Sequence, residues 1–152
     1  MPTERRTLED GIELIEGLLR SYGFERYPSD DDGVSSGGSF ATCEFRRDDL
    51  EFGLIVRHQT KLGCPNYSEG KGYAGHQDMI RHLGKAGNER LVAGEFLSFE
   101  DRLGGNPFEA LKYDLQEILL PTLQQDEAEF RAAIRKAHGE RMRSLGAKGN
   151  KS

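Results

Sequence analysis

The chain has no tryptophan, only two cysteines and no long apolar run. Without Trp, a core has to be built from Phe, Leu, Ile and Tyr. Two cysteines, Cys43 and Cys64, are too few for a disulfide framework and form no CxxC pair. No stretch approaches the ~18 apolar residues that a membrane span requires. The opening segment "MPTERRTLEDG" is charged and lacks the apolar centre of a secretory signal. The expectation is therefore a cytoplasmic protein with free thiols and no membrane partner. Hydrophobic residues make up 36% and charged residues 31%, polar for a globular chain but not the composition of a disordered one. A length of 152 residues suits one domain with a substantial core.

The net charge of −5 hides an asymmetry. From residue 131 onward there are seven Lys/Arg against the single acid Glu140, so the first 130 residues are strongly acidic. An acidic body does not suit a general nucleic-acid binder. Only the basic C-terminal helix, with Arg131, Arg135, Lys136, Arg141 and Arg143, offers phosphate contacts, and it lacks interleaved aromatics for stacking on bases.

Apolar periodicity predicts the elements. Leu8, Ile12, Ile15, Leu18, Leu19 and Tyr22 form a helical stripe, with Thr7 as its N-cap and Gly23 as its stop. "FERY" reads as a short edge strand. Pro28 to Gly38, with three consecutive carboxylates and almost nothing to bury, reads as a mobile loop. Ala41, Cys43 and Phe45 share one face of a strand, and Leu50, Phe52, Leu54 and Val56 one face of the next, joined by a turn at Arg47-Asp48-Asp49. On that alternation His58 continues the core face, as a structural residue, while Arg57 points to the other side. "LGCPNYSEGKGYAG" reads as an irregular glycine-rich loop, "HQDMIRHL" as a short helix closed by Gly84, and Leu91 to Phe99 as either a late strand or an apolar loop. Asn106-Pro107-Phe108-Glu109 is a helix start, Pro121 ends or kinks that helix, and Asp126 with Glu129 begins another. The expected architecture is α+β: an N-terminal helix, a small antiparallel sheet of three to four strands, and C-terminal helices packed on it. One domain covers 1–145, and a frayed basic tail covers 146–152.

Candidate chemistry is sparse. His58, Cys64, His76, Asp78 and His82 carry metal-ligand side chains, but no HExxH or zinc-finger spacing joins them, so no metal is assigned. Asp78 and His82, four residues apart, read as an exposed ion pair, and His76 as a helix-start residue. Cys43 has core parity, and Cys64 lies outside any catalytic cysteine signature. Gly70, Gly72 and Gly75 match GxGxxG without a βαβ unit, so no dinucleotide or other cofactor is assigned. A simpler anion site with Lys71, Arg57 and the helix start near His76 stays open.

The segments "FGLIVRHQTKLG", "GHQDMIRHL" and "NPFEALKYDLQEIL" resemble a group of small bacterial single-domain proteins without a known activity. Those proteins carry a strand ending in Arg-His, a Tyr-containing stretch, a Ser-His-Glu-Asp-like helix and a C-terminal amphipathic helix. The likeness covers roughly Gly38 to Leu120, with Gly75 in place of Ser and Gln77 in place of Glu. It implies a bacterial α+β protein and points to Arg57, His58, His76 and Asp78.

Two functions follow as expectations. The first is a non-enzymatic protein-interaction module of a bacterial cytoplasm, of the immunity-protein, antitoxin-like or accessory-subunit type. Its partner would be another protein, preferably a basic one, and a two-fold homodimer is expected on frequency alone. The second is a small enzyme or anionic-ligand-binding domain where the Arg57-His58 strand end meets the Gly70–His76 loop. There Arg57 and Lys71 would hold an anion, His58 or His76 would move a proton, and Tyr67 or Tyr73 would line the pocket, with Asp78 and His82 beside it.

Overall fold

The computed structural model describes residues 3–27, 32–35, 38–58, 61–70, 72–91, 96–98 and 106–149. Helix α1 (Thr3–Ser21) leads into β1 (Glu25–Tyr27), β2 (Asp32–Ser35), β3 (Gly38–Arg47), β4 (Leu50–Arg57), β5 (Lys61–Gly63), β6 (Asn66–Glu69) and β7 (Gly72–Gly75). Helix α2 (His76–His82) and strand β8 (Phe96–Ser98) follow. The chain closes with α3 (Pro107–Asp114), a π-turn (Leu115–Leu119), α4 (Leu120–Gln125) and α5 (Glu127–Gly149). The class is α+β, as the periodicity predicts, but among the described residues the antiparallel sheet has eight strands rather than three to four.

The extra strands come from segments too short or too polar to show a period. The long hairpin β3–β4 is the spine, in one unbroken register from Phe40↔Arg57 to Arg47↔Leu50. Two short strands share each of its outer edges. On β3 lie β1 and β2, and on β4 lie β5 and β6. Strands β5 and β6 are one extended segment carrying an extra residue. Leu62 pairs with Val56 and Asn66 with Gly53, so four steps on one side match three on the other, and the bulge falls at Cys64-Pro65. Beyond them β8 pairs with β5 and β7 with β6.

Several sequence expectations change here. Asp32–Ser35, read as part of a mobile loop, is a paired strand, and the Asp32 carboxylate is gripped by the Arg5 guanidinium of α1. The "glycine-rich loop" is the hairpin β6–β7, in which Glu69 pairs with Gly72. Residues 96–98 are a strand, which decides between the two readings of Leu91 to Phe99 for the part described. Thr7 is not the N-cap: α1 starts at Thr3, and Thr7 is buried inside it.

Local signals hold elsewhere. Gly23 takes φ +89°, with Gly23 N–H donating to the Arg20 carbonyl and Phe24 N–H to that of Leu19. That is a Schellman stop, repeated at Gly84 after α2. The Asn106 side chain accepts from the Phe108 N–H at 2.8 Å, capping α3 with Pro107 at its first position. Pro121 neither ends the helix nor breaks it outright. It offers no N–H and its ring crowds the carbonyl four residues back. The helix widens into the π-turn just ahead of it and then continues. The wider turn accompanies burial of three consecutive residues, Ile118, Leu119 and Leu120.

The core lies on one face of the sheet. Ala41, Cys43 and Phe45, then Leu50, Phe52, Leu54 and Val56, are all buried, as their alternation predicts. One row of this face runs Phe45, Phe52, Tyr67, Ala74 across four strands, with ring centroids 6.4 Å apart at Phe45–Phe52 and 5.1 Å at Phe52–Tyr67. Helix α1 lies over β3 and β4, α3 packs on α1, and α5 lies along β6 and β7.

Helices α1 and α3 approach closely at Gly11, where a Cβ would stand 2.4 Å from the Phe108 ring. Gly17, in the same helix, has nothing within 4 Å. Alanine in a helix interior normally gains up to about 1 kcal/mol over glycine. Gly17→Ala should therefore raise the urea midpoint, while Gly11→Ala should lower it by overpacking, a loss of about 1–3 kcal/mol. Equal gains at both positions would show that α1 and α3 do not cross at Gly11.

Candidate functional site

The residues that sequence reading gathered into one site are dispersed by the topology. Arg57 ends β4, and its partner across the outer edge is Lys61. The turn at Gly70 lies beside Leu50, at the other end of β4. Seven residues of strand separate the two, about 20 Å at ordinary strand rise. Arg57 points to the face opposite the core, as its parity predicts, and its guanidinium lies 5.3 Å from the Phe40 ring. His58 does not continue the core face. The strand ends before it, its backbone turns left-handed at φ +52°, and its side chain is exposed. The strand parity was right, but it fails one residue beyond the strand. Lys71 lies outside the described residues.

His76 is not a surface helix-start residue. It is the first residue of α2 and has no solvent exposure. Its Nδ1 lies 2.8 Å from the Tyr67 hydroxyl and its Nε2 2.8 Å from Asp114 Oδ2. Asp114, also without solvent exposure, accepts from the Arg90 N–H at 2.7 Å and the Leu91 N–H at 3.0 Å. With two backbone N–H groups donating to the carboxylate, the tautomer that matches every group places the hydrogen on His76 Nε2, which donates to Asp114 Oδ2. In the neutral ring Nδ1 is then the acceptor, and the Tyr67 O–H donates to it. The chain of bonds joins β6, α2, α3 and the backbone at Arg90 and Leu91.

Sequence reading found two members of this cluster and missed the third. The available signal was an acid inside an apolar stripe. Asp114 sits between Leu111 and Leu115, on the side of α3 that faces the core. Burial and hydrogen bonding make the cluster a clamp rather than an active site. It has no access for a substrate, and its donors and acceptors are matched with one another. Gly75, just before His76, allows this close packing: a Cβ there would meet Cys64 Sγ at 3.2 Å. Both thiols are free, Cys43 buried and Cys64 partly so.

A surface cluster joins α2 to α5. Asp78 does not pair with His82, contrary to the four-residue spacing. Its partners are Arg81 at 3.3 Å and Arg141 at 3.7 Å. His82 turns instead to Glu140, at 3.2 Å, where Arg81 also binds at 3.1 Å. Desolvation alone would raise the Glu140 carboxyl, but the His82 and Arg81 charges outweigh it and hold the group below its ordinary value. Tyr73 lines the same groove. The Arg141 guanidinium lies 5.1 Å from the centre of the Tyr73 ring. The basic face of α5 is engaged internally as well. Arg131 reaches Asp49 at 2.8 Å and Glu127 at 3.1 Å, and Arg135 reaches Glu69 at 2.9 Å. Among the described residues, no group of three or more His, Cys, Asp or Glu side chains is arranged to hold a metal ion.

The open face of the sheet is the remaining candidate. Tyr27, Phe40, Glu44, Arg46, Glu51, Gly53, Ile55, Arg57, Asn66, Ser68 and Tyr73 project from it by strand alternation. Arg46 lies 3.4 Å from the centre of the Tyr27 ring and bridges Glu44 at 3.2 Å and Glu51 at 3.3 Å. Comparison of the chain with protein-family models, with curated proteins and with solved structures returned no match in any of the three.

Two outcomes follow for the clamp. Asp114→Ala removes the acceptor of three buried donors and should cost about 3–5 kcal/mol, read from denaturant midpoints. Burial pushes the Tyr67 phenol well above its ordinary value, and the Asp114 and Cys64 charges add to this. A phenol raised on folding stabilises the fold fully below the unfolded value of about 10, and that contribution is lost as pH rises above it. Wild type should therefore lose stability above about pH 10, with one phenol ionising only on unfolding. Tyr67→Phe should flatten that limb while costing about 1–2 kcal/mol at neutral pH. An unchanged alkaline limb in Tyr67→Phe would remove Tyr67 from the clamp.

Proposed function

We propose that this chain is a non-catalytic protein-binding module of a bacterial cytoplasm, of the immunity-protein, antitoxin-like or accessory-subunit type, and that it binds a basic partner through the open face of its sheet. The observation that carries this reading is one-sided packing. Among the described residues the helices lie against one face, and none covers the other. An antiparallel sheet tolerates a solvated face, but this one carries Tyr27, Phe40, Arg46 and Arg57, of residue types enriched at protein interfaces. Cation–π contacts at Arg46–Tyr27 and Arg57–Phe40 hold these side chains in place before any partner arrives.

Charge selects the partner. The body of the chain is acidic, and the basic residues from 131 onward offset it only in part, leaving a net charge of −5. Complementary charge speeds encounter with a basic protein and disfavours an acidic one. The enzyme reading is weaker because Arg57 lies on the open face whereas His76 is buried on the core side. Among the described residues no helix is long and apolar enough to cross a membrane.

The test compares two charge reversals of equal size in capture from a bacterial host lysate. Glu44→Lys/Glu51→Lys alters the open face, and Asp10→Lys/Glu13→Lys alters the outer side of α1. A basic protein retained stoichiometrically by wild type and by the α1 variant, but lost by the sheet variant, is the expected result. A partner lost equally by both, or by neither, would exclude the open face. If wild type sediments as a dimer that the sheet variant dissociates, a second copy is the occupant and the hetero-partner reading fails.

A further inference from the structure

Gly53 is the one residue of the sheet's central hairpin strands that the fold itself does not explain. Glycine weakens a strand interior by roughly 0.5–1 kcal/mol. Such a residue marks a bulge, a bend or a place where another molecule comes close. Gly53 shows no positive φ. It keeps a partner on each side, Glu44 on β3 and Asn66 on β6. The extra residue of the nearby bulge lies at Cys64-Pro65, on the other strand. A Cβ added at Gly53 would meet nothing within 4 Å. Backbone conformation, pairing and internal packing would each accept a side chain here, in contrast to Gly11 and Gly75.

The missing side chain leaves a hollow in the middle of the open face. Its walls are Glu44, Glu51, Asn66, Ser68 and Tyr73. Two carboxylates flank it, a hydroxyl and an amide supply further acceptors, and Tyr73 is 37% exposed at the rim. Arg46 spans both carboxylates, so a cation is already stable beside them. These walls favour a slender aliphatic stem with a positive head: the stem fits over Gly53, and the head meets acceptors and an aromatic ring.

We infer that Gly53 is the floor of a pocket for one lysine or arginine side chain of the basic partner, which would make it the centre of the interface. This rests on the open-face reading above and specifies its anchor. A pocket filled by one inserted side chain and surrounded by polar contacts is the usual form of an interface hot spot. The glycine is then kept for binding, at a cost to the strand.

The decisive variant is Gly53→Thr, which fills the hollow without changing any charge. Its thermal midpoint should equal or exceed that of wild type, because threonine suits a strand and nothing obstructs it. An octalysine peptide, titrated into the full isotope-labelled chain at low salt, should shift the amides of Glu44, Gly53, Asn66 and Ser68 first. Gly53→Thr should weaken that binding at least about tenfold, while octaglutamate should bind neither protein. Equal octalysine affinity for wild type and Gly53→Thr, or shifts spread evenly over all acidic surfaces, would overturn the pocket. With the captured partner the two readings separate. If Glu44→Lys/Glu51→Lys abolishes capture and Gly53→Thr does not, the face is right and the pocket wrong. If neither variant affects capture, both fail.

Discussion

A carboxylate shut away from water must be surrounded by donors, and the tertiary structure around Asp114 follows from that requirement. An unpaired buried charge would cost several kcal/mol. Asp114 meets the demand with the His76 ring and two backbone N–H groups at Arg90 and Leu91. His76 can reach it only because α2 begins immediately after β7, and the ring's other nitrogen takes up the Tyr67 hydroxyl from β6. One buried carboxylate thus joins a hairpin, a short helix, the Arg90–Leu91 backbone and the first C-terminal helix. Apolar packing alone would hold these pieces together less specifically, since oily surfaces slide on one another more easily than directional bonds do.

What the sequence revealed depended on how local the governing physics was. The hairpin β3–β4, the stops at Gly23 and Gly84, and the start of α3 at Asn106 are decided within a few residues, and each lies where pattern and capping rules put it. The sheet was underestimated because β2, β5 and β6 are stabilised by borrowing an edge of the long hairpin, and β7 by pairing with β6. Asp32 enters a strand through Arg5, twenty-seven positions away, and no local rule encodes that contact. His58 shows the limit of alternation. The period places a residue on a face only while the strand lasts, and here it stops at Arg57. At the clamp, Tyr67 and His76 drew notice as chemistry-bearing types, whereas Asp114 was passed over as part of an amphipathic helix. An acid inside the apolar stripe was the visible clue, but the identity of its partners was not.

The same contrast separates the three groups of polar side chains. The clamp is inward-facing and mutually satisfied, so its role is cohesion. The α2–α5 cluster and the pairs made by Arg131 and Arg135 are partly exposed. They orient α5 and quench its basicity more than they add stability, since solvent screens such pairs. The open face carries exposed aromatics, arginines held by cation–π contacts and a depression over Gly53.

The branched edges of the sheet also imply two ends of unequal cohesion. At the Leu50 end, β6 and β7 lie under α5 and are fastened through Tyr67 to the clamp. At the Arg57 end, β2 and the β5–β8 pair meet the hairpin through short ladders, and Val34 in β2 is 80% exposed. Amide protons at this second end can therefore exchange with solvent through local openings that leave the aromatic row and the buried carboxylate undisturbed. A partner anchored at Gly53 would then dock beside the strand that Tyr67 fastens to the buried carboxylate.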